Sequence, residues 1–231
     1  MSTAPNIVLT GFMGAGKTTA GRVVAERLGR EFVDIDTVVE ARLAQTVTEI
    51  FETRGEAYFR AREADLCAEL AVRENLVIAT GGGALVDARN SARNRAAFAG
   101  AFVVCLDAAL DELVARLALR AQDRPLLAGG ELRERVAALM RARSAAYAQI
   151  QLHLDTTAKT VQQVADQILA LFQEQEGTHH APSFLVQTPD GAYPIFIGRG
   201  LLAEMGAVVA RLDERFSSRA RDRADNCGIG R

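Results

Sequence analysis

The 231-residue sequence predicts an α/β fold, a parallel sheet with helices on both faces. Three observations carry that prediction. Strand-like and helix-like segments alternate through residues 6–174. The strand-like segments are near-continuous apolar runs, which is the pattern of strands covered on both faces. The first of them meets the first helix at a glycine-rich turn, Gly11-Phe12-Met13-Gly14-Ala15-Gly16-Lys17-Thr18.

Residues 6–10 form the first apolar run and stop at glycine, as a buried strand does. Residues 17–28 follow as a helix with apolar Ala20, Val23, Val24 and Leu28, and Gly29 suits its C-terminal cap. A second strand is expected at 32–36, then mostly helix over 37–74, where Thr46-Val47-Thr48-Glu49 reads as a capping box. Strands at 76–80, 102–106 and 150–155 alternate with helices at 88–99, 109–119, 131–147 and 160–174. The segment 121–130, with Pro125, Gly129 and Gly130, reads as a loop. The texture changes after Gly177. Phe184–Thr188 and Tyr193–Ile197, around Pro189-Asp190-Gly191, predict a β-hairpin; a helix at 200–211 and a polar, aperiodic tail at 213–231 follow. The expected division is therefore 1–176 and 177–231.

Composition narrows the class. Apolar residues are 49% and charged residues 24%, the balance of an ordinary globular protein. No apolar run reaches the roughly 20 residues of a membrane span, and the N-terminus lacks the basic and apolar regions of a secretory signal. Cys67, Cys105 and Cys227 are far apart and read as reduced thiols. A cytoplasmic protein is expected. The net charge of −2 offers no basic field for nucleic acid, so neither nucleic acid nor membrane is expected as a partner. Of 27 basic residues only Lys17 and Lys159 are lysines. The bias toward arginine reflects base composition, and it makes the position of Lys17 conspicuous.

Gly11 to Thr18 fits GxxxxGK[ST] in full and lies between a predicted strand and a predicted helix, the context that gives the motif its meaning. Backbone N–H groups wrap phosphates only where side chains do not intrude, hence glycine. The helix N-terminus adds positive potential toward the same anion. Lys17 is placed for the β- and γ-phosphates and Thr18 for Mg²⁺. Gly14, Ala15, Gly16, Lys17, Thr18 and Thr19 are the nucleotide-binding residues expected.

The motif says nothing of the acceptor. Asp34 and Asp36, two apart on the expected second strand, would share a face beside the phosphate loop. One would serve the Mg²⁺ shell and the other would accept a proton from an attacking hydroxyl. Gly81-Gly82-Gly83 is costly in backbone entropy and suits close approach to a ligand. Arg60, Arg124 and Arg143 stand out by context, but spacing alone does not select them from the other arginines. Absence of an NKxD motif, and of a DxxG motif within residues 6–174, argues against a GTPase. Asp107, closing an apolar strand, is read as a helix N-cap in preference to a second metal-binding acid, because Asp34 is the better Mg²⁺ candidate.

Taken together, Gly11–Thr18, Phe32–Asp36, Ile50-Phe51-Glu52 with Gly55-Glu56, Phe59-Arg60 and Glu63, Gly81-Gly82-Gly83-Ala84, Arg124-Pro125-Leu126-Leu127, and Arg143 with Tyr147 closely resemble shikimate kinase over roughly residues 5–172. The resemblance implies a P-loop fold like that of nucleoside monophosphate kinases, with a five-stranded parallel sheet. It implies transfer of the ATP γ-phosphate to the 3-hydroxyl of shikimate, in aromatic amino acid biosynthesis, with ATP and Mg²⁺ required. By match, Asp36, Arg60, Gly82 and Arg143 would bind shikimate, Arg60 and Arg143 taking its carboxylate. Lys17, Asp36 and Arg124 would be catalytic. Thr18 would ligate Mg²⁺ with Asp34 in its outer shell, and Arg124 would close onto the phosphates from a lid-like loop. The kinase part is expected to be monomeric. The chain departs from the family at the adenine: where some members stack the base between Arg and Pro, this sequence has Arg116-Leu117 and Thr160-Val161, leaving Arg116 and Arg120 as alternatives.

Residues 194–202, Pro-Ile-Phe-Ile-Gly-Arg-Gly-Leu-Leu, resemble the opening of 3-dehydroquinate synthase. That resemblance implies a kinase–synthase fusion cut short near residue 212, without synthase activity. Two other readings of the whole chain are another small P-loop kinase, for gluconate or a nucleotide, and a nucleotide-binding module without catalysis.

Overall fold

The computed structural model describes residues 5–118, 131–178, 184–188 and 191–195. Five strands form one wholly parallel sheet: β1 (Ile7–Gly11), β2 (Glu31–Asp34), β3 (Leu76–Ala79), β4 (Phe102–Asp107) and β5 (Leu152–Asp155). Their order is β2-β3-β1-β4-β5. The apolar runs become the centre of the core. Ile7, Val8 and Leu9 are fully buried, as are Val77 and Ile78 beside them and Val104 and Cys105 on the other side. β1 lies between β3 and β4, pairing Ile7 with both Val77 and Phe102. Strand order therefore reverses at β1, and a parallel sheet opens its ligand crevice there, beyond the carboxyl ends of the strands. The glycine-rich turn leaves β1 at that crevice.

Helices α1 (Lys17–Leu28), α2 (Ile35–Leu43), α3 (Val47–Ala71), α4 (Ser91–Ala97), α5 (Leu110–Ala118), α6 (Leu132–Tyr147) and α7 (Val161–Thr178) complete the layers. Gly29 ends α1 in the left-handed conformation, as its sequence position suggests. The capping box is present: Glu49 N donates to Thr46 Oγ1 at 3.2 Å and Thr46 N donates to Glu49 Oε2 at 2.7 Å. That box starts α3 and so divides the helical stretch expected over 37–74 in two, with Ala44 left-handed at the end of α2. Gly55 interrupts α3 with a non-helical φ of 80°.

Two expectations are corrected. The second strand ends at Asp34, not at 36. Asp34 caps α2, its Oδ1 accepting from Asp36 N at 3.1 Å and Thr37 N at 3.4 Å, so Asp36 lies in the first turn of a helix. The two carboxylates are thus not neighbours on one strand face. Asp107 is not an N-cap either. Two alanines separate it from α5, and the Ala109 N–H donates to Thr157 Oγ1 instead, at 2.9 Å.

The chain divides into two compact units, Met1–Ala170 and Leu171–Arg231. In the second, β6 (Phe184–Thr188) and β7 (Gly191–Ile195) pair antiparallel, Thr188 opposite Gly191. The expected hairpin is present, and its second strand begins at Gly191, two residues earlier than sequence suggests. The helix expected at 200–211 and the tail at 213–231 lie outside the described residues. No helix among the described residues is long and apolar enough to cross a membrane.

Candidate active site

The turn between β1 and α1 is shaped by glycine where side chains would intrude. Gly14 and Gly16 take φ values of 83° and 96°, which other residues rarely adopt. Gly16 occupies the α1 N-cap position with no side chain to cap the helix, so its first N–H groups face outward, as an anion site requires. Lys17 crosses back under the turn: its Nζ donates to Gly11 O at 2.9 Å and Phe12 O at 3.0 Å.

A cleft of about 500 Å³ runs along this turn. Met13 to Ala20 form its floor, with Asp34, Asp36, Thr80 and Gly82 lining it at the β2 and β3 ends. Arg116, Lys159, Val161 and Val164 are among its other lining residues. The Thr18 hydroxyl donates to Asp34 Oδ2 at 2.7 Å, so the helix-capping carboxylate also reaches the phosphate loop. These are two hard oxygen donors side by side, the donor type Mg²⁺ takes.

The glycine run after β3 is packed against charged side chains rather than left open. A Cβ on Gly81 would lie 2.4 Å from Glu63 Oε1 and 2.6 Å from Asp36 Oδ1. A Cβ on Gly83 would lie 2.6 Å from both Cζ and Nη2 of Arg60. A Cβ on Gly82 would lie 3.3 Å from Met13 N, the backbone of the phosphate loop. The Gly82 carbonyl in turn accepts from Arg143 Nη1 at 3.0 Å and from Tyr147 Oη at 2.5 Å. Arg143 and Tyr147 are one turn apart on α6 and so share a face. The turn thus gathers Asp36, Arg60 and Arg143 at the edge of the nucleotide cleft.

Arg60 is buried, its side chain only 5% exposed, and it pairs with Glu63 at 2.7 Å and Glu56 at 3.3 Å. Burial works against its charge, but Glu63, Glu56 and Asp87 together raise its pKa above the usual value. Glu63 is in the opposite position. Burial pushes its carboxyl up to about 7; Arg60 opposes this and the nearby Asp36 adds to it. One guanidinium is shared among several carboxylates, so each is only partly compensated. Glu63 Oε1 is buried and has no hydrogen-bond partner among the described residues.

Lys17, Thr18, Thr19, Gly14, Ala15, Gly16, Asp34, Asp36 and Gly82 therefore line one cleft, with Arg60 and Arg143 against the turn that borders it. Arg124 and Arg120 lie outside the described residues. Arg116 lines the cleft, held by Glu112 Oε1 at 2.9 Å, Gly14 O at 3.2 Å and Thr156 O at 3.0 Å. Lys159 was not singled out from sequence. It stands at the cleft wall, donating to Asp155 O at 2.6 Å and Gln167 Oε1 at 3.0 Å. Its only sequence signal was its rarity.

The shikimate kinase family model matches residues 13–173. The chain belongs to the shikimate kinase family. A shikimate kinase of Geobacter sulfurreducens is 41% identical over 171 residues, covering 74% of this chain and 92% of that protein. One of Symbiobacterium thermophilum is 44% identical over 174 residues, 74% of this chain and 97% of its own. Among solved structures, shikimate kinase of Acinetobacter baumannii in complex with shikimate superposes with a TM-score of 0.70 at 38% identity, covering 75% of this chain and 96% of that one. The five-stranded parallel sheet and its phosphate loop are those of this kinase family.

Proposed function

We propose that the cleft transfers the γ-phosphate of ATP to the 3-hydroxyl of shikimate. The observation that carries this is the Gly81–Gly83 turn, which sets Asp36, Arg60 and Arg143 around the edge of the phosphate loop. The shikimate-bound Acinetobacter relative supports the same acceptor here. The backbone N–H groups of Gly14, Ala15, Gly16, Lys17, Thr18 and Thr19 cradle the phosphates. Lys17 exchanges the Gly11 and Phe12 carbonyls for the β- and γ-phosphates. Arg60 and Arg143 hold the shikimate carboxylate, for which their forked donors are suited. Gly82 lets the ring approach the loop.

Asp36 accepts the proton of the 3-hydroxyl. The oxygen then bonds the γ-phosphorus as the bond to the β-phosphate oxygen breaks, and ADP leaves. Thr18 and Asp34 fit Mg²⁺, Thr18 as a direct ligand and Asp34 in the outer shell; when bound, the ion neutralises phosphate charge. Arg124 stabilises the transferred charge by the same resemblance that singled it out. Arg116, which lines the cleft, and Arg120 are the alternatives for stacking on the adenine.

The deciding assay is ADP release from ATP–Mg²⁺ with shikimate, gluconate or AMP as acceptor. Release with shikimate alone is expected. Release with none of them, despite ATP binding, overturns the reading. Asp36→Asn and Lys17→Ala each lower turnover by about 10²–10⁴-fold.

We infer further that residues 1–176 are the kinase and that 177–231 are a remnant of the opening of 3-dehydroquinate synthase, ending near residue 212, plus an irregular tail. The family match stopping at residue 173 and the separate β6–β7 sheet support this division. Deleting residues 178–231 is expected to leave shikimate-dependent ADP release intact; its loss overturns the division.

A further inference from the structure

Away from the proposed kinase residues, β4 and β5 bring together three side chains of metal-ligating type. Cys105 and Asp107 are two residues apart on β4 and so point to one face, and His153 on β5 lies opposite Cys105 in register. Cys105 Sγ is 3.5 Å from Asp107 Oδ1, and His153 Nδ1 is 2.6 Å from Asp107 Oδ2. One ligand atom from each of the three lies within 4.8 Å of the others.

The imidazole carries a second observation. His153 Nε2 is 3.0 Å from the Ile150 carbonyl. A carbonyl only accepts, so Nε2 holds a hydrogen. A neutral imidazole has just one, which leaves Nδ1 as a lone pair aimed at a carboxylate oxygen. That nitrogen and the carboxylate oxygen, 2.6 Å apart, are donors that a metal ion takes together.

We propose that Cys105, Asp107 and His153 bind a borderline-soft divalent transition metal of the Zn²⁺ class, separately from the Mg²⁺ of the phosphate loop. A sulfur, nitrogen and oxygen donor set is one that zinc takes and magnesium does not. Zinc bonds of about 2.3 Å to sulfur and about 2.1 Å to oxygen put tetrahedral donors roughly 3.5 Å apart. The Cys105–Asp107 separation already has that value. Asp107 and His153 side chains are 48% and 36% exposed, which gives the ion a path from solvent and water as a fourth ligand. Burial, reinforced by Asp107, keeps the Cys105 thiol protonated beyond its ordinary range. On binding, the S–H bond breaks, the metal–sulfur bond forms and the proton leaves to bulk water.

The test adds Co²⁺ to the full chain in excess Mg²⁺ and follows thiolate-to-cobalt charge-transfer absorption. One equivalent of Co²⁺ producing that absorption is expected. It is lost in Cys105→Ser and kept in Cys67→Ser and Cys227→Ser. His153→Gln, at a half-exposed position that leaves the core intact, weakens binding by about tenfold or more. Binding by the sequence neighbours His179 and His180 would give no sulfur band. No band in the wild type, or a band that survives Cys105→Ser, overturns the proposal.

Discussion

The Thr18 hydroxyl donates to Asp34 Oδ2 at 2.7 Å while Asp34 Oδ1 caps helix α2. One carboxylate thus fixes the start of a helix and touches the phosphate loop at once. Asp34→Asn keeps an N-capping side chain but removes the charge. We expect the fold to survive and the Mg²⁺ concentration for half-maximal kinase activity to rise about 10–100-fold, the usual cost of losing an outer-shell partner. A Mg²⁺ titration of ADP release measures this. An unchanged requirement removes Asp34 from the metal shell.

Arg143 and Tyr147 both donate to the Gly82 carbonyl, so the turn keeps one of its ties when the other is cut. Arg143→Ala is therefore expected to spare the turn and expose the role of the guanidinium in binding. A hydrogen bond to a charged partner is worth about 1.5–3 kcal/mol, which raises the KM for shikimate by about 10–100-fold. The KM for ATP stays near its wild-type value. Steady-state kinetics with each substrate varied distinguishes the two, and an unaltered shikimate KM rejects Arg143 as a carboxylate ligand.

Glu63 makes the stability of the kinase depend on pH. Its ordinary value is 4.5 and burial raises it to about 7 in the folded chain. Between these values the folded state holds a proton that the unfolded state has released. Stability is therefore greatest below about 4.5 as far as this group is concerned, and falls as pH rises toward 7. The full effect is on the order of 3 kcal/mol, at about 1.4 kcal/mol for each tenfold change in proton affinity. Urea unfolding at about pH 5 and about pH 8 is expected to show this loss in the wild type and a smaller one in Glu63→Gln. Parallel pH dependences would refute the protonated carboxyl.

Much of this site is legible in sequence because its signals are local. GxxxxGK[ST] specifies a backbone shape, and apolar runs alternating with helices specify the sheet that carries it. Asp34 and Asp36 were recognisable as a pair, but their geometry was not, since the alternation argument assumes that the strand continues. Asp34 instead turns the chain into α2, a role that an Asp followed by helix-forming residues also fits. Glu63 was hidden because its meaning comes from Arg60, Asp36 and burial together. The Cys105–Asp107–His153 cluster joins residues 46 apart through the register of β4 and β5, and no local pattern encodes that register.

The three consecutive glycines show the same divide. Sequence indicates that something approaches the backbone closely, and the structure shows that much of it is the protein itself. At Gly83 the neighbour is the Arg60 guanidinium, which cannot simply swing aside because it is buried and paired with Glu63 at 2.7 Å. Gly83→Ala would place a Cβ 2.6 Å from Arg60 Cζ. The guanidinium must move off its partner or the turn must move off the cleft, and either displaces a residue proposed to bind shikimate. Positioning errors of this size cost on the order of 100-fold in catalysis. We expect kcat/KM for shikimate to fall by about that factor while nucleotide binding, measured by calorimetry with ADP, changes little. Wild-type kinetics in Gly83→Ala would mean that the Arg60 side chain relaxes freely and that its fixed position is not what the acceptor site depends on.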